Sequence, residues 1–404
     1  MTTFTPHTSA EVLDAVRWAA AEEQPLEIVG HGSKRGIGRP AQTEHAIDLS
    51  RLTGVTLYEP EELVLSARAG TPLAEIEAML AERGQELAFE PMDYAPLHGG
   101  SPGQGGKSGT IGGVLATNLS GPRRLKAGAA RDHILGVHCV SGRGEAFKSG
   151  GRVVKNVTGY DLSKAMAGSW GTLAVVTDLT FKVLPRAETE TTVALRRLDD
   201  EKAAAAMAAA LGSSAEVSAA AHLPERVAAR VADGVLGSDP ATLLRVDGFG
   251  PSVAYRVAML SDLFGGHIEN IEAERSRALW AGIRDVEPFA DGTDCPVWRI
   301  SMAPSDGWKL VAALRMQAAV DAFYDWQGGL VWLRMEGDAE AEAIRGLVRA
   351  HGGGHATLVR AASSVRAATP VFEPQPRALG ALAARLKSEF DPKGILNPGR
   401  MAAV

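Results

Sequence analysis

The feature that most constrains this chain is where its glycines fall. Residues 99–172 hold 18 of its 45 glycines, with the densest run between His98 and Gly121. Glycine costs backbone entropy and brings no side chain to a core, so such a density needs a local reason. The reason that fits is a backbone that takes positive φ or approaches a ligand closely, leaving N–H groups aimed at anionic oxygens. The stretch reads as the wall of a site for a large phosphate-bearing cofactor.

Two common nucleotide motifs fail on spacing. Gly106, Lys107 and Ser108 end like a Walker A loop, but the first glycine of that motif would fall on Ser101. The preceding Glu90–Pro96 is no buried strand. Gly109–Gly113 reads as a poor first helical turn, since each glycine costs roughly 1 kcal/mol relative to alanine there. The Rossmann fingerprint fails after Gly30 and Gly32, because its third glycine would have to replace Arg35. What remains at Gly30–Gly38 is a short strand, Leu26–Val29, feeding a glycine loop that carries Ser33, Lys34 and Arg35. Backbone N–H groups there can bind pyrophosphate oxygens while the cations supply charge.

At 404 residues the chain has room for two or three domains. Its net charge of −6 argues against nucleic acid as a partner. No apolar run approaches the about 18 residues of a membrane span, and the first residues lack a signal-peptide pattern. The expected location is therefore the cytoplasm, with contact at the inner membrane face only through partners. Two cysteines, Cys139 and Cys295, fall short of the about four thiolates an iron–sulfur cluster needs. Cys139 lies in the apolar run Ile134–Val140 and reads as a small buried core residue.

Along the chain, an opening helix capped by Thr8 or Ser9 buries Val12, Val16 and Ala19. Strands are expected at Ala46–Ser50 and Leu63–Ala69. A helix follows with Thr71 as cap, Pro72 at its first position, and Leu73, Ile76, Met79 and Leu80 on one face; Gly84 ends it. Strands Ile134–Val140 and Thr172–Leu184 lead to Pro185. Beyond a boundary near residue 188 the composition turns alanine-rich. The pattern there is a β-α-β-β-α-β plait repeated twice. Its first copy is built from Val193–Leu198, Asp199–Leu211, Val217–Leu223, Leu243–Phe249, Val253–Phe264 and His267–Ile271. Its second is built from Pro296–Met302, Asp306–Met316, Ala319–Tyr324, Leu330–Met335, Glu340–Ala350 and Thr357–Ala361. The helix Gln375–Phe390 and the tail Asp391–Met401 close the chain.

Four pieces in this order resemble the PCMH-type FAD-binding domain of the vanillyl-alcohol-oxidase family. They are the loop Gly30–Gly38, the block Thr110–Gly113 with Asn118 and Gly121, the run Gly168–Thr172 with its strand, and the tail Asp391–Arg400. Within that family, Val153–Leu162 is similar to the glycolate oxidase branch. The short length, the ending Pro370–Pro376 and the missing metal motif resemble the flavoprotein subunit of that branch without a metal site. The resemblance implies an α+β fold. An FAD-binding domain at 1–188, in subdomains of about 1–90 and 91–188, would hold extended FAD. A cap of ferredoxin-like plaits at 189–374 would cover the flavin ring, and residues 375–404 would return to the FAD domain. By position, Gly30, His31, Gly32, Ser33 and Lys34 would line the pyrophosphate. Ser101, Thr110, Gly112, Gly113, Asn118 and Gly121 would run along the pyrophosphate and ribityl chain. Gly171 and Val176 would lie near the adenine or diphosphate, with Asn397 approaching the ring. Some relatives carry a flavin–histidine bond in the first loop; His31 stands two residues early, so non-covalent FAD is expected.

The resemblance further implies an FAD-dependent oxidoreductase, the FAD-binding subunit of a multi-subunit glycolate oxidase (dehydrogenase). That complex would oxidise glycolate, or a similar small 2-hydroxy acid, to glyoxylate. Its partners would be a second FAD-binding subunit and an iron–sulfur subunit that receives electrons from flavin. Relatives that oxidise 2-hydroxy acids carry an H-x-H metal pair, which is missing here. His351 and His355 have the wrong spacing and read as a loop after a helix, so no metal site is assigned. Arg299, Arg334 and Arg360, each in an expected cap strand, are the candidates for gripping a carboxylate; ordinary ion pairing competes with that role. Trp298 and Trp332 read as core. Lys155, Asn156, Tyr160 and Asp161 can build a polar network near the ring, and Lys107 reads as a surface loop residue. Two alternatives stay open: a self-sufficient oxidoreductase for another small acid or alcohol, and a non-catalytic assembly subunit.

Overall fold

The computed structural model describes residues 2–99, 109–153 and 159–402. The chain opens with β1 (Thr2–Phe4) and α1 (Ser9–Ala21). Thr8 is extended, and its hydroxyl accepts the Glu11 N–H at 3.2 Å, satisfying a donor that a helix start otherwise leaves orphaned. Next come β2 (Leu26–Val29) and β3 (His45–Asp48), which with β1 make a parallel sheet in the order β1-β3-β2. The expected strand Ala46–Ser50 stops at Asp48. The carboxylate of Asp48 accepts the Ser50 N–H at 2.9 Å and turns the chain into a 3₁₀ segment, Leu49–Arg51.

A five-stranded antiparallel sheet carries the rest of this half: β4 (Val55–Glu59), β5 (Val64–Arg68), β6 (Ile134–Ser141), β7 (Ala146–Gly150) and β8 (Ala174–Lys182). Its order is β4-β5-β8-β6-β7. Because β5 pairs with β8, from Val64–Lys182 to Arg68–Asp178, residues 55–68 and 134–182 share one sheet. A division at residue 90 therefore follows no sheet boundary. Val12, Val16 and Ala19 of α1 join Leu26, Ile47, Leu65, Val137, Leu179 and Phe181 in one core.

Two local expectations are corrected. Thr71 does not cap α2 (Leu73–Ala81): Pro72 flanks that helix, and the Thr71 hydroxyl donates to the Arg68 carbonyl at 2.7 Å and accepts the Gly54 N–H at 3.0 Å. Gly109–Gly113 does lead into a helix, α3 (Ile111–Thr117), because Thr110 caps it and accepts the Gly113 N–H at 3.2 Å. A Cβ on Gly112 would lie 2.7 Å from the Ala69 Cβ and 2.8 Å from its carbonyl oxygen. The glycine that weakens the helix in isolation lets it touch the end of β5.

The second half is one eight-stranded sheet. Its first four strands are β9 (Thr189–Arg196), β10 (Ala219–Leu223), β11 (Ala241–Gly248) and β12 (Glu269–Glu272). The other four are β13 (Val297–Met302), β14 (Val320–Asp325), β15 (Leu330–Met335) and β16 (Gly354–Arg360). The order β12-β9-β11-β10-β14-β15-β13-β16 is two 4-1-3-2 plaits joined edge to edge, with His222 opposite Tyr324 at the junction. In chain order its longer helices are α4 (Asp200–Leu211), α5 (Gly250–Leu263), α6 (Ala273–Arg284), α7 (Gly307–Arg315) and α8 (Ala341–Ala350).

Strand alternation sorts the side chains between two faces. Trp298, Ile300, Val331 and Leu333 pack under α7 and α8, while Val193, Leu244 and Val246 pack under α4 and α5. The opposite face presents Leu243, Phe323 and Trp332 to Met92, Tyr94, Leu97 and Ile37 of the first half. Helix α6, absent from the sequence reading, adds Leu279, Trp280 and Ile283 to this seam. The last helix, α9 (Arg377–Phe390), delivers the tail back beside β2, where Leu396 bridges Leu26.

Candidate cofactor-binding site

A cleft opens where β2 ends, and four segments distant in sequence meet there. The loop after β2 contributes Gly30, His31, Gly32, Ser33 and Lys34; the start of α3 contributes Thr110 and Gly113; Trp170, Asn397 and Arg400 complete the wall. A Cβ on Gly30 would sit 2.5 Å from the Thr110 hydroxyl, so loop and helix cap touch only because residue 30 is glycine. Gly32 has φ +74° and open space where a Cβ would stand, the geometry of a backbone that presents N–H groups to a ligand. The cleft continues past Gly112, Gly113, Gly171 and Val176.

The floor is fixed by the tail. Leu26 donates to the Ile395 carbonyl at 2.7 Å and accepts the Asn397 N–H at 2.9 Å. The Asn397 side chain then spans two segments: Oδ1 accepts the Ile28 N–H and Nδ2 donates to the Trp170 carbonyl, each at 2.8 Å. Asn397 is at φ +44°, and a Cβ on Gly171 would meet its Nδ2 at 2.7 Å. Asn397 is thus a strut between β2 and the Trp170 loop. Its turn is held in place by Asp391, which accepts the Ile395 and Leu396 N–H groups at 3.0 and 2.8 Å.

The electrostatics are one-sided. Among the described lining residues are Lys34, Arg35 and Arg400 and no carboxylate. Arg35 pairs with the buried Glu27 beneath the loop. Arg400 lies over the Trp170 ring at 5.9 Å and donates to the Lys34 carbonyl at 2.8 Å; burial pulls its guanidinium down to about 10. Burial also lowers the Lys34 ammonium, against a partial counterpull from Asp93 and Asp285. His98, beside Gly36, is pushed down to about 4 by burial and by Arg360, Arg366, Lys34 and Arg400, so it is neutral at pH 7. Desolvated cations on a wall that itself carries no carboxylate gain from a bound anion. Glycine-lined walls, a capped helix start and this excess of positive charge fit the diphosphate of FAD.

The remaining sequence-derived residues are distributed differently. Ser101, Lys107, Lys155 and Asn156 lie outside the described residues. Asn118 ends α3 in the left-handed region and its Oδ1 accepts the Arg131 N–H at 2.9 Å. Gly121 accepts the Trp326 indole N–H at 3.0 Å, tying the FAD half to the cap. Neither lines the cleft. Tyr160 is exposed, and Asp161 pairs with Lys164 at 2.7 Å. His351 follows α8, and Gly352 and Gly353, at φ +90° and +86°, turn the chain toward β16, where His355 is exposed.

Of the three candidate arginines, two are already engaged. Arg334 donates to Asp291 at 2.5 Å, and Arg360 donates to the Phe289 and Cys295 carbonyls at 2.6 and 2.9 Å while pairing with Asp291 at 3.1 Å. They fasten the 287–295 loop to the sheet. Arg299 differs: its guanidinium lies over Trp326 at 4.9 Å, and its buried Nε has no hydrogen-bond partner among the described residues. Sequence reasoning missed the groups around it. Burial pushes the Asp325 carboxyl up to about 7, and Arg245 pairs with Glu90 at 2.8 Å across the seam. The available signal was an acid closing the apolar strand Val320–Asp325.

Comparison with known proteins agrees with this geometry. Residues 2–150 match a family described as an FAD binding domain. Over 398 residues the chain is 35% identical to glycolate oxidase subunit GlcE of Escherichia coli (strain K12), covering 98% of this chain and 97% of that one. Glycolate oxidase subunit GlcD of Bacillus subtilis (strain 168) is 41% identical over 174 residues, 42% of this chain and 34% of that one. Among solved structures, p-cresol methylhydroxylase with substrate bound superposes with a TM-score of 0.72 at 14% identity, covering 99% of this chain and 88% of that one, a likeness of fold. FAD is the cofactor, and the reaction class is FAD-dependent oxidoreduction. A likeness that runs nearly end to end at this identity decides membership: the chain belongs to the GlcE-type, PCMH-type FAD-binding oxidoreductases of the vanillyl-alcohol-oxidase family.

Proposed function

We propose that this chain is the FAD-binding subunit of a multi-subunit glycolate oxidase that converts glycolate to glyoxylate. In this reading its own flavin relays electrons toward an iron–sulfur partner, and a second flavoprotein subunit meets the substrate. The observation that carries the proposal is the similarity to E. coli GlcE over 98% of the chain. Two cysteines leave the chain without the ligands for a cluster of its own, which supports a partner that supplies one.

The relay role is supported by the inner face of the cap. Tyr94 stands edge-on to Trp332 at 5.8 Å, Phe323 stacks on Trp332 at 6.1 Å, and Phe289 lies 5.2 Å from Phe323. All four rings are fully buried, so aromatic packing fills this part of the seam. Arg334 and Arg360 share Asp291, which removes the two-arginine grip a small carboxylate would use. FAD, when bound, supplies a centre that accepts two electrons and can release them singly. This chain's residues would bind and orient it: the Gly30–Lys34 loop would hold the diphosphate and Lys34 and Arg400 would neutralise it, while Asn397 holds the floor of the cleft. No covalent bond to His31 is invoked, so acid precipitation is expected to release the flavin into solution.

No helix among the described residues is long and apolar enough to cross a membrane. The proposed location is cytoplasmic, with membrane contact through partners. A self-sufficient oxidoreductase is the second reading, and the unpartnered Nε of Arg299 is the observation that favours it. The two are separated by purifying the chain alone and assaying glycolate-dependent dye reduction. A yellow, flavin-loaded preparation without turnover is expected. Sustained turnover would overturn the relay role, and a colourless preparation that takes up no FAD would overturn the flavin assignment.

A further inference from the structure

We infer that α9 is a docking element through which this chain binds another protein subunit, one that offers an apolar groove with an acidic rim. The helix is anchored at its last turn. There the Phe390 ring packs 5.7 Å from Phe147, and the Lys387 ammonium donates to the Thr172 and Leu396 carbonyls at 2.6 and 3.0 Å. None of its 14 residues is buried. Leu379, Leu382 and Leu386 are 54%, 61% and 40% exposed. Their i, i+3, i+7 spacing places them on one stripe, together with Ala383.

Single exposed leucines are ordinary on a protein surface, but a stripe of three on one helix is not. A helix of this length is marginal in water unless it buries an apolar face against something else. The sequence writes such a face, and the described residues leave about half of it exposed. The flanks say what covers it. Arg385 flanks the stripe and Arg377 opens the helix, both exposed on a chain whose net charge is −6; Lys387 points inward onto carbonyls, and the exposed Glu389 is paired with Arg143 at 3.3 Å. An amphipathic helix laid in an apolar groove is a common recognition mode, and cationic flanks select an acidic rim. A second copy of this chain would bring the same cationic flanks and is disfavoured by like-charge contact.

The inference rests on the proposal that the chain works as a subunit, and its test keeps the two apart. Leu382→Glu and the double variant Leu379→Ser/Leu386→Ser are made in the full, FAD-loaded chain. Alone, both should match the parent in mass and flavin content and stay close to it in thermal midpoint, because Leu379, Leu382 and Leu386 belong to none of the cores among the described residues. Co-expressed with the other subunits of the complex, both should associate at least about tenfold more weakly. Arg377→Glu/Arg385→Glu should slow association and flatten its salt dependence. Amide hydrogen exchange over residues 377–386 should slow on assembly. The docking role is overturned if stripe variants assemble like the parent or exchange there does not change. It is also overturned if the parent alone is a dimer that Leu382→Glu dissociates, which would make the occupant a second copy. A parent chain that joins no other subunit would overturn the subunit proposal as well.

Discussion

Replacing Asn397 by alanine removes the strut between β2 and the Trp170 loop. The Ile28 N–H and the Trp170 carbonyl each lose a partner at 2.8 Å. Leaving two such groups unpaired costs about 1–2 kcal/mol apiece in a half-buried setting. At φ +44° an alanine adds about 1 kcal/mol of left-handed strain that asparagine tolerates better. The expected loss is therefore about 3–5 kcal/mol, which for a domain of this size lowers the thermal midpoint by on the order of 10 °C. FAD affinity should fall with it, since Asn397 lines the cleft. Asn397→Gly separates the terms: it loses the same two bonds without the strain, and should recover about 1 kcal/mol relative to the alanine variant. The assay is thermal unfolding with and without excess FAD, together with flavin titration of the apoprotein. An alanine variant within about 1 kcal/mol of the parent that holds FAD equally well would refute the strut.

Three further outcomes follow from the same geometry. Gly112→Ala drives a Cβ into Ala69 at 2.7 Å and should cost about 1–3 kcal/mol with loss of bound flavin; unfolding midpoint and visible absorbance check it. Lys34→Met removes a desolvated cation from the cleft and should weaken FAD binding about 10–100-fold without lowering apoprotein stability, as measured by fluorescence titration and urea unfolding. Burial raises the Asp325 carboxyl to about 7, so the folded state holds that proton more tightly than the unfolded state. Its stabilising share is present below the usual carboxylate range and is lost as pH rises toward 7. Between pH 5 and 8 the parent should lose more stability in urea unfolding than Asp325→Asn does; parallel losses would contradict the assignment.

Much of this fold is legible where a side-chain period meets a turn. Leu26–Val29 and both plaits of the cap announce themselves by alternation, and their edge-to-edge junction then follows from free sheet edges. Features decided by distant contacts are not legible in the same way. Gly112 reads as a helix breaker until Ala69 stands against it. Thr71 reads as a cap until the Gly54 turn claims its hydroxyl. Helix α6 hides because Ser276 and Gly282 occupy buried positions among its apolar residues. The arginines show the same limit at the site. Their strands are readable, but Asp291, which engages Arg334 and Arg360 and leaves Arg299 apart, lies in a loop with no periodic signal. The glycine loop after β2 is readable as a place of close approach because a Cβ on Gly30 would collide with Thr110, and that loop lines the cleft.

The central claim is that this chain holds FAD as a relay within a larger oxidoreductase. It is tested most directly by an anaerobic visible spectrum of the isolated, FAD-loaded chain during titration with glycolate. The account predicts an oxidised-flavin band that stays unbleached until the other subunits of the complex are added. Stoichiometric bleaching by glycolate in the isolated chain would contradict it.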